Sequence, residues 1–178
     1  MSNVLIGIIG VILFIGLALA GALFLGPRFQ ESTNNSKAAR IVSDMQQITA
    51  AVNLNRLNEG RTLSAKDYTT NVASLVPAYM KAEPRVSTSG LRYETVDVDG
   101  GDRPQPIHHI QAIVGSTSDP VAKSVCRSIE ASTGAADPDA AIAAISTTAQ
   151  WTSRVGGSRG VGCFEFGPVN AYYAFMVL

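Results

Sequence analysis

Side chains able to do chemistry are few in this sequence, and they are scattered. The two histidines, His108 and His109, are neighbours. In an extended segment neighbouring side chains point to opposite faces, so the pair does not converge on one metal; one ring is expected inward and the other outward. Asp97, Asp99 and Asp102 in DVDGGD look like a fragment of a calcium loop. The loop spacing with its closing glutamate is absent, so the stretch reads as a turn. No GxSxG elbow occurs. Gly156-Gly157 in RVGGSRG has no following Lys-Ser in a strand-to-helix frame, so it reads as a flexible loop rather than a phosphate cradle. Arg154 and Arg159 are expected there in solvent, within reach of a partner or DNA. Cys126 and Cys163 have no CxxC partner and no zinc spacing; they are either one disulfide or two buried thiols. Phe164, Phe166, Tyr172, Tyr173 and Phe175 read as sheet core. The expectation is a protein with no catalytic, cofactor-binding or metal-binding residues, and not an enzyme.

The elements that carry these residues start with an apolar run. Lys and Arg number 14 against 14 Asp and Glu, so a broadly basic face for nucleic acid is not expected. Residues 4–25 contain no charged or polar side chain. At about 1.5 Å per residue they reach roughly 33 Å, enough to cross a bilayer's hydrocarbon core. Val4, Leu5, Ile8, Ile9, Val11, Ile12, Phe14, Ile15, Leu19, Leu23 and Phe24 supply its apolar surface. No Lys or Arg precedes the run, and it is longer than a signal-peptide core, so it reads as retained. Arg28, the first cation, would by itself favour a C-terminal side facing inward. Translocation of the C-terminal part is nonetheless expected from the resemblance given below.

Gly26-Pro27 is expected to kink or loosen the helix, because proline removes a donor and crowds the preceding turn. A helical period resumes with Ala38, Ile41, Val42, Met45, Ile48 and Val52 on one face. Gln46, Gln47, Asn53, Arg56 and Glu59 take the other, and Gly60 is a stop signal. The pattern fits either one helix of roughly 80 Å or an anchor followed by a separate helix. Residues 65–79 read as a short helix or loop. Strands are expected at residues 91–98, 107–114, 161–166 and 171–178, the last being apolar enough to be a central strand covered on both faces. Asp119-Pro120 and Asp137-Pro138 each read as a helix start, the second leading into residues 140–148. Residues 151–162 read as a Gly- and Ser-rich loop. The fold class is α+β: a long N-terminal helix, first membrane-spanning and then amphipathic, on a globular head with an antiparallel sheet. The domains are residues 1–60, the membrane or filament-core helix, and 61–178, the head.

This layout resembles type IV pilins, and within them the type IVb branch of the toxin-coregulated pilin and the plasmid thin-pilus pilins. The resemblance is carried by GALFLGPRFQESTNNSKAARIVSDMQQITAAV at 21–52, VAKSVCRSIEASTG at 121–134, and Gly162-Cys163-Phe164 ahead of a terminal apolar strand. The motifs are loose; their order and spacing span most of the chain. The resemblance implies an exported head closed by a Cys126–Cys163 disulfide, since export favours the bridge. It implies a structural subunit of an extracellular filament, held in the bacterial inner membrane and then moved to the cell surface. Its implied partners are other copies of itself, the inner-membrane pilus assembly machinery, and lipid before assembly; a DNA or host-surface partner is left open. The sequence reads as the mature form. No acid precedes Glu31, whereas most major pilins carry a glutamate inside the apolar segment. Minor pilins and pseudopilins tolerate that absence, and they are the alternative, together with a monomeric membrane-anchored extracytoplasmic binding domain.

Overall fold

The structure, a computed structural model, describes residues 2–59, 72–98, 107–157 and 159–178, with the backbone alone at 2–5, 24, 25, 27, 97 and 98. The predicted stop at Gly60, residues 65–71 of the 65–79 segment, and Asp99 and Asp102 of the DVDGGD turn lie outside the described residues; the rest of that segment holds a single 3-10 turn, Ala73–Leu75. So do the side chains of Val4, Leu5, Phe24, Leu25, Pro27 and Asp97.

Helix α1 runs unbroken from Ser2–Glu59. Of the two arrangements the sequence allows, a single helix is therefore the one formed. The helical backbone continues through Gly26 and Pro27. The chain divides into two compact units at the boundary between Asn34 and Asn35. The sequence places a boundary at 60 because the helix ends there, whereas the packing changes where apolar residues begin to fall on one face only.

In the second unit, residues from Asn35 onward, α1 buries the predicted stripe: Ala38, Ile41, Met45, Ile48, Ala51 and Val52 all enter the core, with Val42 partly buried beside them. The sheet orders its strands β1-β2-β5-β4-β3, where β1 is Tyr93–Val98, β2 Ile107–Ser116, β3 Ala144–Ile145, β4 Val161–Phe166 and β5 Ala171–Val177. All neighbouring pairs are antiparallel except β3 with β4, so the sheet is mixed. The expected central strand is central: β5 lies between β2 and β4 and buries residues on both faces. Ile110, Ala112, Tyr172, Ala174 and Met176 face α1 and helix α2, Pro120–Ser132. Ile107, Phe164, Tyr173 and Phe175 face the other side, where Trp151 of α4, Thr148–Val155, packs in edge-to-face contacts with Phe164 and Phe166. The histidines divide as their alternation requires: His109 is fully buried near Trp151, and His108 is partly exposed.

Both predicted helix starts form. The Asp119 carboxylate accepts from Val121 N at 2.8 Å, capping α2. Asp137 caps α3, Pro138–Ala141, which stops after four residues instead of continuing to 148. The chain there bends into β3, whose pairing with Glu165 and Phe166 takes up the backbone. Residues 151–155 are helical rather than loop. Thr147 and Gln150 form a reciprocal capping box that starts α4, the Thr147 hydroxyl accepting from Gln150 N and the Gln150 side chain accepting from Thr147 N.

Candidate functional site

The first unit is defined by what its side chains lack within the chain. From Ile6 to Ala22 none is buried. Ile8, Ile9, Val11, Ile12, Phe14, Ile15, Leu19 and Leu23 are between about half and three-quarters exposed. At 100° per residue these positions, together with the equally exposed Ile6, Leu13 and Leu17, fall on every side of the helix, unlike the single stripe of an amphipathic element. Leaving one such side chain in water forgoes roughly 1.5–3 kcal/mol. A helix greasy all round therefore needs lipid or other helices as its surroundings. The described residues hold one helix long and apolar enough to cross a membrane. Gly7, Gly10, Gly16 and Gly21 sit in it and, beyond the helix's own backbone, no atom of the described residues lies within 4 Å of where a Cβ would be. Each costs about 1 kcal/mol of helix propensity relative to alanine, and no contact among the described residues calls for their small size.

The second unit is fastened around α2. Ala122, Val125, Cys126 and Ile129 are fully buried against the sheet. Gly115 of β2 lets the helix come this close: a Cβ there would lie 2.8 Å from that of Ala122. On the α1 side, the Ser128 hydroxyl donates to Asn35 Oδ1 at 2.7 Å. The cysteines are joined, Cys126 of α2 to Cys163 of β4, with Cα atoms 5.4 Å apart. Closing a loop across a sequence separation of 37 stabilises by about 4 kcal/mol on the chain-entropy model.

Beside the disulfide lies a charged cluster that no local sequence signal announces. Glu130 of α2 is fully buried. Its Oε1 accepts from Arg154 Nη2 and from Cys163 N, the latter at 2.5 Å, and its Oε2 accepts from Arg159 Nη1 at 2.7 Å. Arg154 Nη2 also donates to Cys163 O at 3.1 Å, and its guanidinium lies 5.6 Å from the centre of the Phe175 ring. Burial draws the Arg154 guanidinium below its ordinary pKa; the Glu130 charge opposes that shift and Arg159 adds to it. The two arginines, expected in solvent on a loop, are thus tied to one buried carboxylate, Arg154 from within α4.

The cluster has a definite structural task. Strand β3 covers the outer edge of β4 only at Glu165 and Phe166. Further along that edge, Cys163 has its N–H and C=O taken by Glu130 and Arg154, and Val161 N donates to Arg159 O at 2.7 Å. Charged side chains thus stand where a neighbouring strand would, which closes an otherwise sticky edge. Among the described residues no group of three His, Cys, Asp or Glu is placed to hold a metal ion. Compared with known proteins, the chain matches no family model, no curated protein and no solved structure.

Proposed function

We propose that this chain is the structural subunit of a type IV pilus-like extracellular filament, held in the inner membrane by residues 4–25 before assembly. The observation that carries the reading is a helix apolar on every side, continuous with an amphipathic half that builds the core of a disulfide-closed head. In lipid such a helix satisfies its own backbone groups. In a filament the same surface buries against equivalent helices of other copies. Water-to-apolar transfer favours both states, so exchange between them costs little, and close packing at small residues tips it towards assembly. The unexplained glycines fit this: Gly16 and Ala20, four apart, form a small-xxx-small pair that lets two helix backbones approach. A heterologous, non-closing contact of this kind generates a helical fibre. The partners proposed are other copies, the pilus assembly machinery and membrane lipid. Gly26 and Pro27 supply a compliant step in the helix.

The test is to shear appendages from native cells, image them and identify their main protein by mass, intact and reduced. Thin filaments made chiefly of this chain, gaining two hydrogens on reduction, are the expected result. Chain found solely in the membrane fraction would overturn the major-subunit reading. A monomeric anchored binder is separated by replacing residues 4–25 with an unrelated spanning helix: a filament subunit loses function, and a binder keeps it.

A further inference from the structure

We propose that the cavity beside the Glu130 cluster binds a small oxyanion through Arg159. The cavity has a volume of 430 Å³ and lies between α4 and the turn leading into β4. Among the described residues Gln150, Ser153, Arg154 and Arg159 are its polar lining, and none of those lining it is acidic. Behind them, two guanidinium groups share the single Glu130 carboxylate, which leaves one net positive charge. The last carbonyls of α4 oppose it, but a helix C-terminus carries only about half an elementary charge, so the cation prevails.

The geometry is that of a prepared receptor. Arg159 Nη1 is held by Glu130, so the guanidinium is already oriented. Its Nε and Nη2 make no hydrogen bond among the described residues, and the side chain is 33% exposed. Those two N–H groups form the side-on edge of the fork, the edge that takes two oxygens of a carboxylate or phosphate at once. Arg154, at 19% exposed and engaged with both Glu130 and Cys163, adds charge from behind. The exposed Ser153 side chain lines the same cavity and adds a hydroxyl donor to it. Fixing the fork in advance removes part of the ordering cost of binding.

The experiment titrates inorganic phosphate, and acetate in parallel, into the full-length oxidised chain in non-ionic detergent micelles. Ionic strength is held constant with chloride, and binding is followed by NMR. Saturable shifts of the Gly157 and Gly160 amides and the Arg159 Nε are expected, with the Cys163 amide unmoved. The preferred probe tells tetrahedral from planar oxyanions. The same shifts growing with protein concentration and no added anion would support the site and identify an acidic group of another copy as the occupant. Arg159→Gln should weaken binding at least about tenfold. Because that change also touches Glu130, Ser153→Glu provides a second route: an exposed position receives a tethered carboxylate that fills or repels, and phosphate binding is lost while the disulfide and the Cys163 amide signal persist. Absence of saturable shifts, or wild-type affinity in either variant, overturns the proposal.

Discussion

Gly162 illustrates how one missing Cβ lets a buried ion cluster exist. A Cβ at this position would sit 2.6 Å from Glu130 Oε1 and 3.0 Å from the Phe175 ring. A carboxylate oxygen at the end of a free side chain would move aside, but this one is held by Arg154, Arg159 and Cys163 N. Gly162→Ala is therefore expected to destabilise the head by about 1–3 kcal/mol, as overpacking does. Denaturant melts of the oxidised protein, together with faster exchange of the Cys163 amide, would register it; an unchanged midpoint would show that the cluster can shift. Tyr93 gives a second residue-scale expectation. Its hydroxyl donates to Asp44 Oδ2 at 3.1 Å, and burial, then the Asp44 charge, push its pKa well above the ordinary 10.0. The folded phenol stays protonated while an unfolded one ionises. Its contribution is complete below about pH 10 and is lost as pH rises above it. The melting midpoint should then fall above about pH 10, with the ultraviolet signature of this tyrosinate appearing only on unfolding. Tyr93→Phe should flatten that part of the alkaline slope.

Among the elements, α4 depends most on a single local device. It has eight residues, and Thr147 with Gln150 satisfies donors at its start. It carries Trp151 onto the sheet and Arg154 to Glu130. Thr147→Ala should cost about 1 kcal/mol, and the loss should appear as reduced protection at α4 and at Cys163 together, because Arg154 reaches the strand from this helix. The bulge in β2 is another element-scale detail. Where the register shifts between Ile113 and Gly115, the Ser89 and Thr88 hydroxyls donate to the carbonyls of Ile113 and Val114. The irregular stretch before β1 thereby supplies hydrogen bonds that the ladder there does not.

At the scale of the whole molecule, the two units ask for different surroundings. The head contains its own core and disulfide, and the apolar half of α1 has no core of its own. Gly16→Leu separates the two. Beyond the helix's own backbone, nothing among the described residues lies within 4 Å of the added Cβ, so the stability of the head should stay within about 0.5 kcal/mol. Filament yield, counted by electron microscopy of sheared material, should drop sharply because the bulky side chain holds neighbouring helices apart. Wild-type yield would remove close helix approach from the proposed assembly.

Much of this architecture can be read along the chain because its causes are local. The span at residues 4–25 needs only a count of apolar residues. The stripe from Ala38 to Val52 needs only the helical period, and α2 needs only Asp119-Pro120 and its buried face. The all-apolar β5 announces a central strand because no polar residue marks a solvent side. The start of α4 is missed in the sequence reading, which follows the glycines and serines of 151–162 to a loop although Thr147 and Gln150 carry a capping-box spacing.

Other features have no local cause. Strand β3 has two residues, too few for any period, and exists because Glu165 and Phe166 offer an edge. Glu130 sits in an ordinary amphipathic helix, and only folding brings in partners 24 and 29 residues along the chain. Burying that carboxylate is tolerable solely because two guanidiniums and a backbone N–H arrive together. The sequence by itself determined which segments are apolar, periodic or capped, since those properties belong to neighbouring residues. The tertiary structure alone decided which charges are buried and paired, how the edge of β4 is closed and where a cationic cavity is left open, since each depends on distances between segments far apart in the chain.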